Sequence, residues 1–329
     1  FGTLSDRFGR RPILLTGGLL FVLSSLTATL SPSISFLLIC RIIQGLGAAA
    51  CMSMARVIIN DSFNKIEAAE KLSLMTAIMV IFPLISLIMG GFIAQTIGWV
   101  GTMYVFFIFG LIILTGSFFQ IPETKVNKSN NLDFKKIFNS YSSVLTNKSF
   151  LIFTFIGSIQ VGVFFSSFGF MPYEFARLGV SPLEFGFWIS FTGIGYFTGN
   201  ILNRYYAARL GIEKLIVLGC LFSLLSYFSI LIMHLNGFNH PLYISLPIIL
   251  FGLGNGFSVA NCIIGGVSST GNQSGTATGV AGALQMSSGG IIGAIVIGLG
   301  GDESFLTCLF FMNFLCLTAL FSSFFKYKY

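Results

Sequence analysis

Charge is what this sequence has least of. Only 9% of its 329 residues are Asp, Glu, Lys or Arg, against about 25% in soluble domains. That shortage excludes an ordinary water-covered globular surface. Trp and His number two each, and neither His234 nor His240 has a ligand-type residue at zinc-like spacing. The six cysteines, Cys40, Cys51, Cys220, Cys262, Cys308 and Cys316, include no Cys-x-x-Cys pair. No zinc site or disulfide framework is implied, and the thiols read as small hydrophobes. Acids are also missing from the apolar stretches. Asp6, Asp61, Glu67, Glu70, Glu123, Asp133, Glu174, Glu184, Glu213, Asp302 and Glu303 all fall in loops or at the ends of apolar runs. The chain therefore offers no enzyme chemistry, metal site or cofactor site.

What it does have is hydrophobicity, at 54%, with 38 Phe and 38 Gly. Apolar runs of about 20 residues cross a bilayer as helices, and small residues let such helices approach closely. Ten runs qualify: A 13–30, B 35–59, C 71–96, D 99–120, E 149–171, F 182–203, G 214–234, H 241–262, I 275–299 and J 304–325. Short links make hairpins of A/B, C/D and I/J. The expected architecture is an all-α membrane protein with a first bundle over 1–120, a polar linker over 121–148 and a second bundle over 149–329. The linker opens on Ile121-Pro122-Glu123-Thr124, and its Leu132, Phe134, Ile137, Phe138 and Tyr141 alternate with lysines in the manner of a helix lying on the membrane surface. The chain starts at Phe1 in a loop-like string, so it reads as lacking its own N-terminus. Two equal halves would place two further spans ahead of it.

Fifteen of the 18 basic residues fall on one side of these spans and only Arg177 on the other, with Arg41 and Arg56 inside span B. The positive-inside rule makes the fifteen-residue side cytoplasmic. Topology thus accounts for the net charge of +7, and no nucleic-acid partner is implied. A faint repeat links Gly2-Thr3-Leu4-Ser5-Asp6-Arg7-Phe8 to Gly199-Asn200-Ile201-Leu202-Asn203-Arg204-Tyr205, 197 residues on. Parallel repeats are one plan of secondary transporters.

Two strings stand out. Gly2 to Phe8 continues as Gly9-Arg10-Arg11-Pro12, a turn with an acid and three bases, which as a bare sequence is also a simple positive-inside anchor. Arg41-Ile42-Ile43-Gln44-Gly45-Leu46-Gly47-Ala48-Ala49-Ala50 puts a guanidinium in an apolar run, at about 2.5–3.5 kcal/mol even on mild scales. Gln44 lies one turn on and faces the same way. An Arg near the start of span B can also snorkel to the interface.

The first string resembles the signature loop between spans 2 and 3 of the major facilitator superfamily, and the second its span 4. Met54-Ala55-Arg56 through Asp61, Pro83 with Gly90-Gly91 and Gly98-Trp99, and Gly275-Thr276-Ala277 with Gln285 are similar to its bicyclomycin/chloramphenicol-resistance (Bcr/CflA) group of drug:proton antiporters. Leu87 stands where that group commonly has a second Pro. The resemblance runs the length of the chain and makes A–J spans 3–12. It implies proton coupling through Arg41 and Gln44, and a cytoplasmic gate motif of Gly2, Asp6, Arg7, Gly9, Arg10, Arg11 and Asp61. It also implies a helix-bending antiporter motif of Pro83, Gly90 and Gly91, with a proton carrier upstream of Phe1.

Gln160, Asn255 and Gln285 near mid-span, with Phe164, Phe168 and Tyr196, are the cavity candidates for a lipophilic substrate. Each amide could equally bond a neighbouring helix. Gly252 to Gly256 is too deep in a span to cradle phosphate, while Gly275/Gly279 and Gly289/Gly293 read as close-contact faces. The expected function is proton-driven export of small lipophilic compounds or drugs by a monomer in the bacterial inner membrane. Its partners are the substrate, protons and the lipid bilayer. The rivals are a metabolite transporter and the inactive product of a broken gene.

Overall fold

The computed structural model describes residues 1–124, 134–301 and 303–325. Lys125, Lys128, Leu132, Asp133, Asp302, Lys326 and Lys328 lie outside the described residues, as do the side chains of Asp6, Pro83, Leu87, Phe134, Lys135, Lys136 and Ile137. The helices gather into two compact units, Phe1–Asp133 and Phe134–Tyr329.

The first unit holds α1 (Gly2–Phe8), α2 (Arg10–Thr29), α3 (Ile34–Ser62), α4 (Lys65–Thr96) and α5 (Trp99–Gln120). The second holds α6 (Phe134–Thr146), α7 (Lys148–Arg177), α8 (Pro182–Ile189), α9 (Phe191–Leu210), α10 (Ile212–Leu235), α11 (Leu242–Ser245), α12 (Pro247–Ser268), α13 (Ser274–Gly298) and α14 (Phe305–Ser322). Every predicted apolar run lies on helix. Among the described residues, eight helical spans are long and apolar enough to cross a membrane. Side chains set several starts: Ser33 accepts from Phe36 N, Asn147 from Phe150 N and Ser304 from Thr307 N. Each satisfies a donor that the first helical turn leaves open.

Two expectations need correction. Run F is not one helix, because α8 ends at Ser190, whose hydroxyl returns to Phe187 O at 2.6 Å, and α9 begins at Phe191. Run H stays one candidate span, Leu242–Ser268, in which Leu246 keeps helical dihedrals and Pro247 opens α12. The linker helix α6 is not simply laid on a surface. Its Val144 is fully buried with Phe150, Ala277, Val280 and Ala281 of unit 2, while Phe138 and Tyr141 stay exposed.

Close helix crossings depend on glycine, but not at all the predicted places. A Cβ at Gly47 of α3 would meet Gly17 O at 2.5 Å and Phe21 N at 2.7 Å on α2. In unit 2, Gly254 of α12 opposes Gly219 of α10, and Gly256 opposes Gly199 of α9, backbone against backbone. Gly289 packs on Phe165 as a contact face should, with its would-be Cβ 2.8 Å from Phe165 Cβ, whereas Gly275 and Gly279 have nothing within 4 Å. Their spacing matches a contact stripe, yet no described atom lies within 4 Å of either would-be Cβ. The α13 helix packs on α7, and α14 packs on α10 and α7. A groove of about 770 Å³, lined by Leu151, Thr154, Leu284 and Phe314 among others, therefore separates the α13 and α14 expected to form a hairpin.

Candidate functional site

Gly9 adopts φ 104°, a conformation that costs a residue with a Cβ, and it turns α1 into α2. The equivalent joint in unit 2 is Gly211 at φ 79°, between α9 and α10. Just after Gly9, the Arg10 guanidinium is nearly enclosed. Its Nε donates to Asp61 Oδ2 at 3.1 Å, and its Nη1 to the buried Ser5 hydroxyl. The Arg10 backbone N–H donates to Glu123 Oε1 at 2.8 Å. Glu123 thereby places a carboxylate against the N-terminal turn of α2, where the helix dipole favours negative charge. Four chain segments converge on Arg10. Arg11 donates to Phe118 O at 2.7 Å and lies over the Phe118 ring, and Arg7 lies over Phe8. Gly2 and Asp6 are in α1, and the Asp6 side chain lies outside the described ones. Glu123 was missed as a member of this cluster, although its Pro-Glu-Thr string marks the end of run D.

Along α3, Arg41 Nη1 donates to Gln44 Oε1 at 2.8 Å, Gln44 Nε2 donates to Ser25 Oγ at 2.7 Å, and Ser25 Oγ donates to Phe21 O at 2.6 Å. The guanidinium carbon lies 5.4 Å from the centre of the Phe106 ring. Gln44 and Ser25 are buried, whereas Arg41 itself is exposed. The chain therefore fixes a permanent cation on the flank of an apolar helix rather than enclosing it within unit 1. The α4 helix runs unbroken past Pro83. A Cβ on Gly90 would have nothing within 4 Å, and Gly91 is half-buried.

The unit 2 candidates lie on α7, α9, α12 and α13. Gln160 is spent on α10, taking a hydrogen bond from Ser223 Oγ at 2.9 Å and reaching Cys220 Sγ at 3.4 Å. Asn255 donates to Phe251 O of its own helix at 3.2 Å. Gln285 is buried against Gly157, and its Nε2 has no partner among the described residues. Phe164 stacks edge-on with Phe168 at 5.2 Å, and Tyr196 is half-buried on α9. One buried acid was unexpected. Glu174, assigned to a span end, is 6% exposed near the end of α7. It accepts from Tyr243 OH at 2.7 Å and pairs with Arg177 at 3.5 Å and His234 at 3.7 Å.

The profile of the family described as Major Facilitator Superfamily matches residues 1–294. A bicyclomycin resistance protein homolog of Haemophilus influenzae is 25% identical over 310 residues, covering 92% of this chain and 77% of its own length. The multidrug resistance protein MdtL of Escherichia coli O17:K52:H18 is 32% identical over 162 residues, 49% of this chain and 41% of that protein. The chain thus spans less than half of the latter. A D-xylose–proton symporter shares the fold, with a TM-score of 0.75 over 100% of this chain and 83% of its own at 18% identity.

Proposed function

The chain belongs to the major facilitator superfamily, and from that premise we propose that it exports small lipophilic compounds in exchange for protons by alternating access. Membership makes it a multi-pass membrane transporter and not an enzyme. Relatives named for bicyclomycin and multidrug resistance support drugs as cargo. Its Lys- and Arg-rich loops would face the cytoplasm from the inner membrane, with a single chain as the working unit.

The observation that carries the reading is the bonded chain Arg41–Gln44–Ser25, which joins the apolar helices α3 and α2. A guanidinium keeps its charge at any working pH, so Arg41 does not carry the proton. It sets the local potential for a group that does, and Gln44 holds it in place. Arg10 with Asp61 and Glu123 is the second part: a tie whose making and breaking biases two conformers. About a kilocalorie or two there shifts their populations severalfold. Asp6, and the bend attributed to Pro83, Gly90 and Gly91, belong to the same reading.

The test is efflux of several dyes and antibiotics from cells expressing the whole gene, with and without a protonophore. Efflux should stop with the protonophore and fall about tenfold or more in Arg41→Ala, equivalent to about 1.4 kcal/mol. Efflux that ignores both perturbations refutes the proposal.

A further inference from the structure

Three ionisable groups from three helices meet at the end of unit 2 remote from Lys148. Glu174 of α7 and Tyr243 of α11 are buried, while the His234 side chain of α10 is 28% exposed. The Tyr243 hydroxyl has one proton and donates it to Glu174 Oε1 at 2.7 Å. His234 Nδ1, 3.3 Å from the Tyr243 hydroxyl oxygen, must then be the donor in that contact. Phe305 of α14 covers the imidazole edge-on at 5.2 Å.

The other oxygen, Glu174 Oε2, faces Arg177 Nη1 at 3.5 Å, and Arg177 Nη2 donates to Glu303 O at 2.6 Å. The neighbouring titratable groups are otherwise engaged or turned away. His240 accepts from Leu242 N, Glu184 is held by Ser181, Cys308 bonds Gly301 O, and the Glu303 side chain is exposed. Asp302 lies outside the described residues. The α12 and α13 helices bring no charged side chain.

The geometry points to a proton-binding relay running from His234 through Tyr243 to Glu174. The partly exposed imidazole takes up a proton from the medium. Its Nδ1–H bond then breaks as a new O–H bond forms on Tyr243, and the original Tyr243 proton passes to Glu174 Oε1. Imidazolium and carboxylate become imidazole and carboxylic acid, with one N–H and one O–H bond broken and two O–H bonds made. Tyr243 never carries charge. The step removes the negative charge that holds Arg177, and Arg177 is tied to the connection between α13 and α14. Proton arrival is thereby converted into a looser tie between α7 and that connection. The use of this relay in transport rests on the proposed proton-driven export, but its existence does not.

The test uses the purified whole protein in lipid nanodiscs, without substrate or gradient. With His240→Gln as background, the ¹⁵N-imidazole signal of His234 is followed against pH, alone and with Glu174→Gln or Tyr243→Phe. The pH response of that signal should differ from the background protein in both Glu174→Gln and Tyr243→Phe. Infrared difference spectra on acidification should show a protonated carboxyl band that Glu174→Gln removes and His234→Gln displaces. The second pair of readouts keeps the test decisive should one variant fail to fold. A His234 titration identical in all three proteins, or a carboxyl band indifferent to both changes, overturns the relay. An intact relay in a protein that exports nothing overturns only the export reading.

Discussion

Replacing Gly47 by Ala tests the argument that backbone proximity, and not sequence spacing, sets the Arg41 chain in place. The new Cβ would lie 2.5 Å from Gly17 O, 2.7 Å from Phe21 N and 3.1 Å from Phe21 Cα, all backbone atoms of α2 that no rotamer change can remove. Ordinary contact starts near 3.4 Å, so α2 and α3 must part by roughly 1 Å at this crossing. Overpacking of this sort costs about 1–3 kcal/mol. Because Ser25 rides on α2 and Gln44 on α3, the same movement stretches their 2.7 Å bond towards about 3.6 Å, where it ceases to be a hydrogen bond. Gly45→Ala is the built-in control. It is two residues away on the same helix, with nothing within 4 Å of its would-be Cβ, and it should be neutral or up to about 1 kcal/mol stabilising through helix propensity. Chemical unfolding of both variants in detergent, followed by circular dichroism, measures the difference. Equal midpoints for Gly47→Ala and wild type would refute the crossing geometry and the positioning of Gln44 derived from it.

Other substitutions separate function from packing. Arg10→Lys keeps the charge but offers one nitrogen where Nε and Nη1 reach Asp61 and Ser5 separately. It should cost about 1–3 kcal/mol, whereas exposed Arg7→Lys should stay within about 0.5 kcal/mol in the same unfolding assay. Gln160→Leu removes one of the two acceptors, Gln160 Oε1 and Gly219 O, that share the single Ser223 Oγ proton, and leaves Gly219 O. Stability should fall by about 1 kcal/mol with the range of exported compounds unchanged, and a changed range would return Gln160 to the substrate site. Gly90→Ala meets no described atom. Folding and expression should persist while efflux falls, and unchanged efflux at normal expression would remove Gly90 from the proposed bend.

Helical runs were readable because twenty apolar residues without an acid admit few other structures. The break at Ser190 was not, since residues on both sides stay apolar. Gly275 and Gly279 show the limit of spacing rules: a small-residue stripe indicates what a helix could accept, but not whether another helix lies opposite. The Arg10 cluster was legible only through resemblance to known loops, and even then Glu123 was left out because it enters from 113 residues away. Glu174 is the sharper case. Ending run E at 171 made it a loop acid, although the next turn-forming residue is Gly179, at φ 76°. Extending the helix to Arg177 places Glu174 on a buried face, where it needs a donor. That donor, Tyr243, comes from a four-residue helix 69 positions on. A carboxylate is tolerable in such a place only when partnered, so burial without an obvious local partner is the signal to search distant segments for one. Apolar periodicity counts hydrophobic residues and is blind to an acid whose partners arrive from elsewhere, which is why the buried acid Glu174 was placed with the ten others in loops or at run ends.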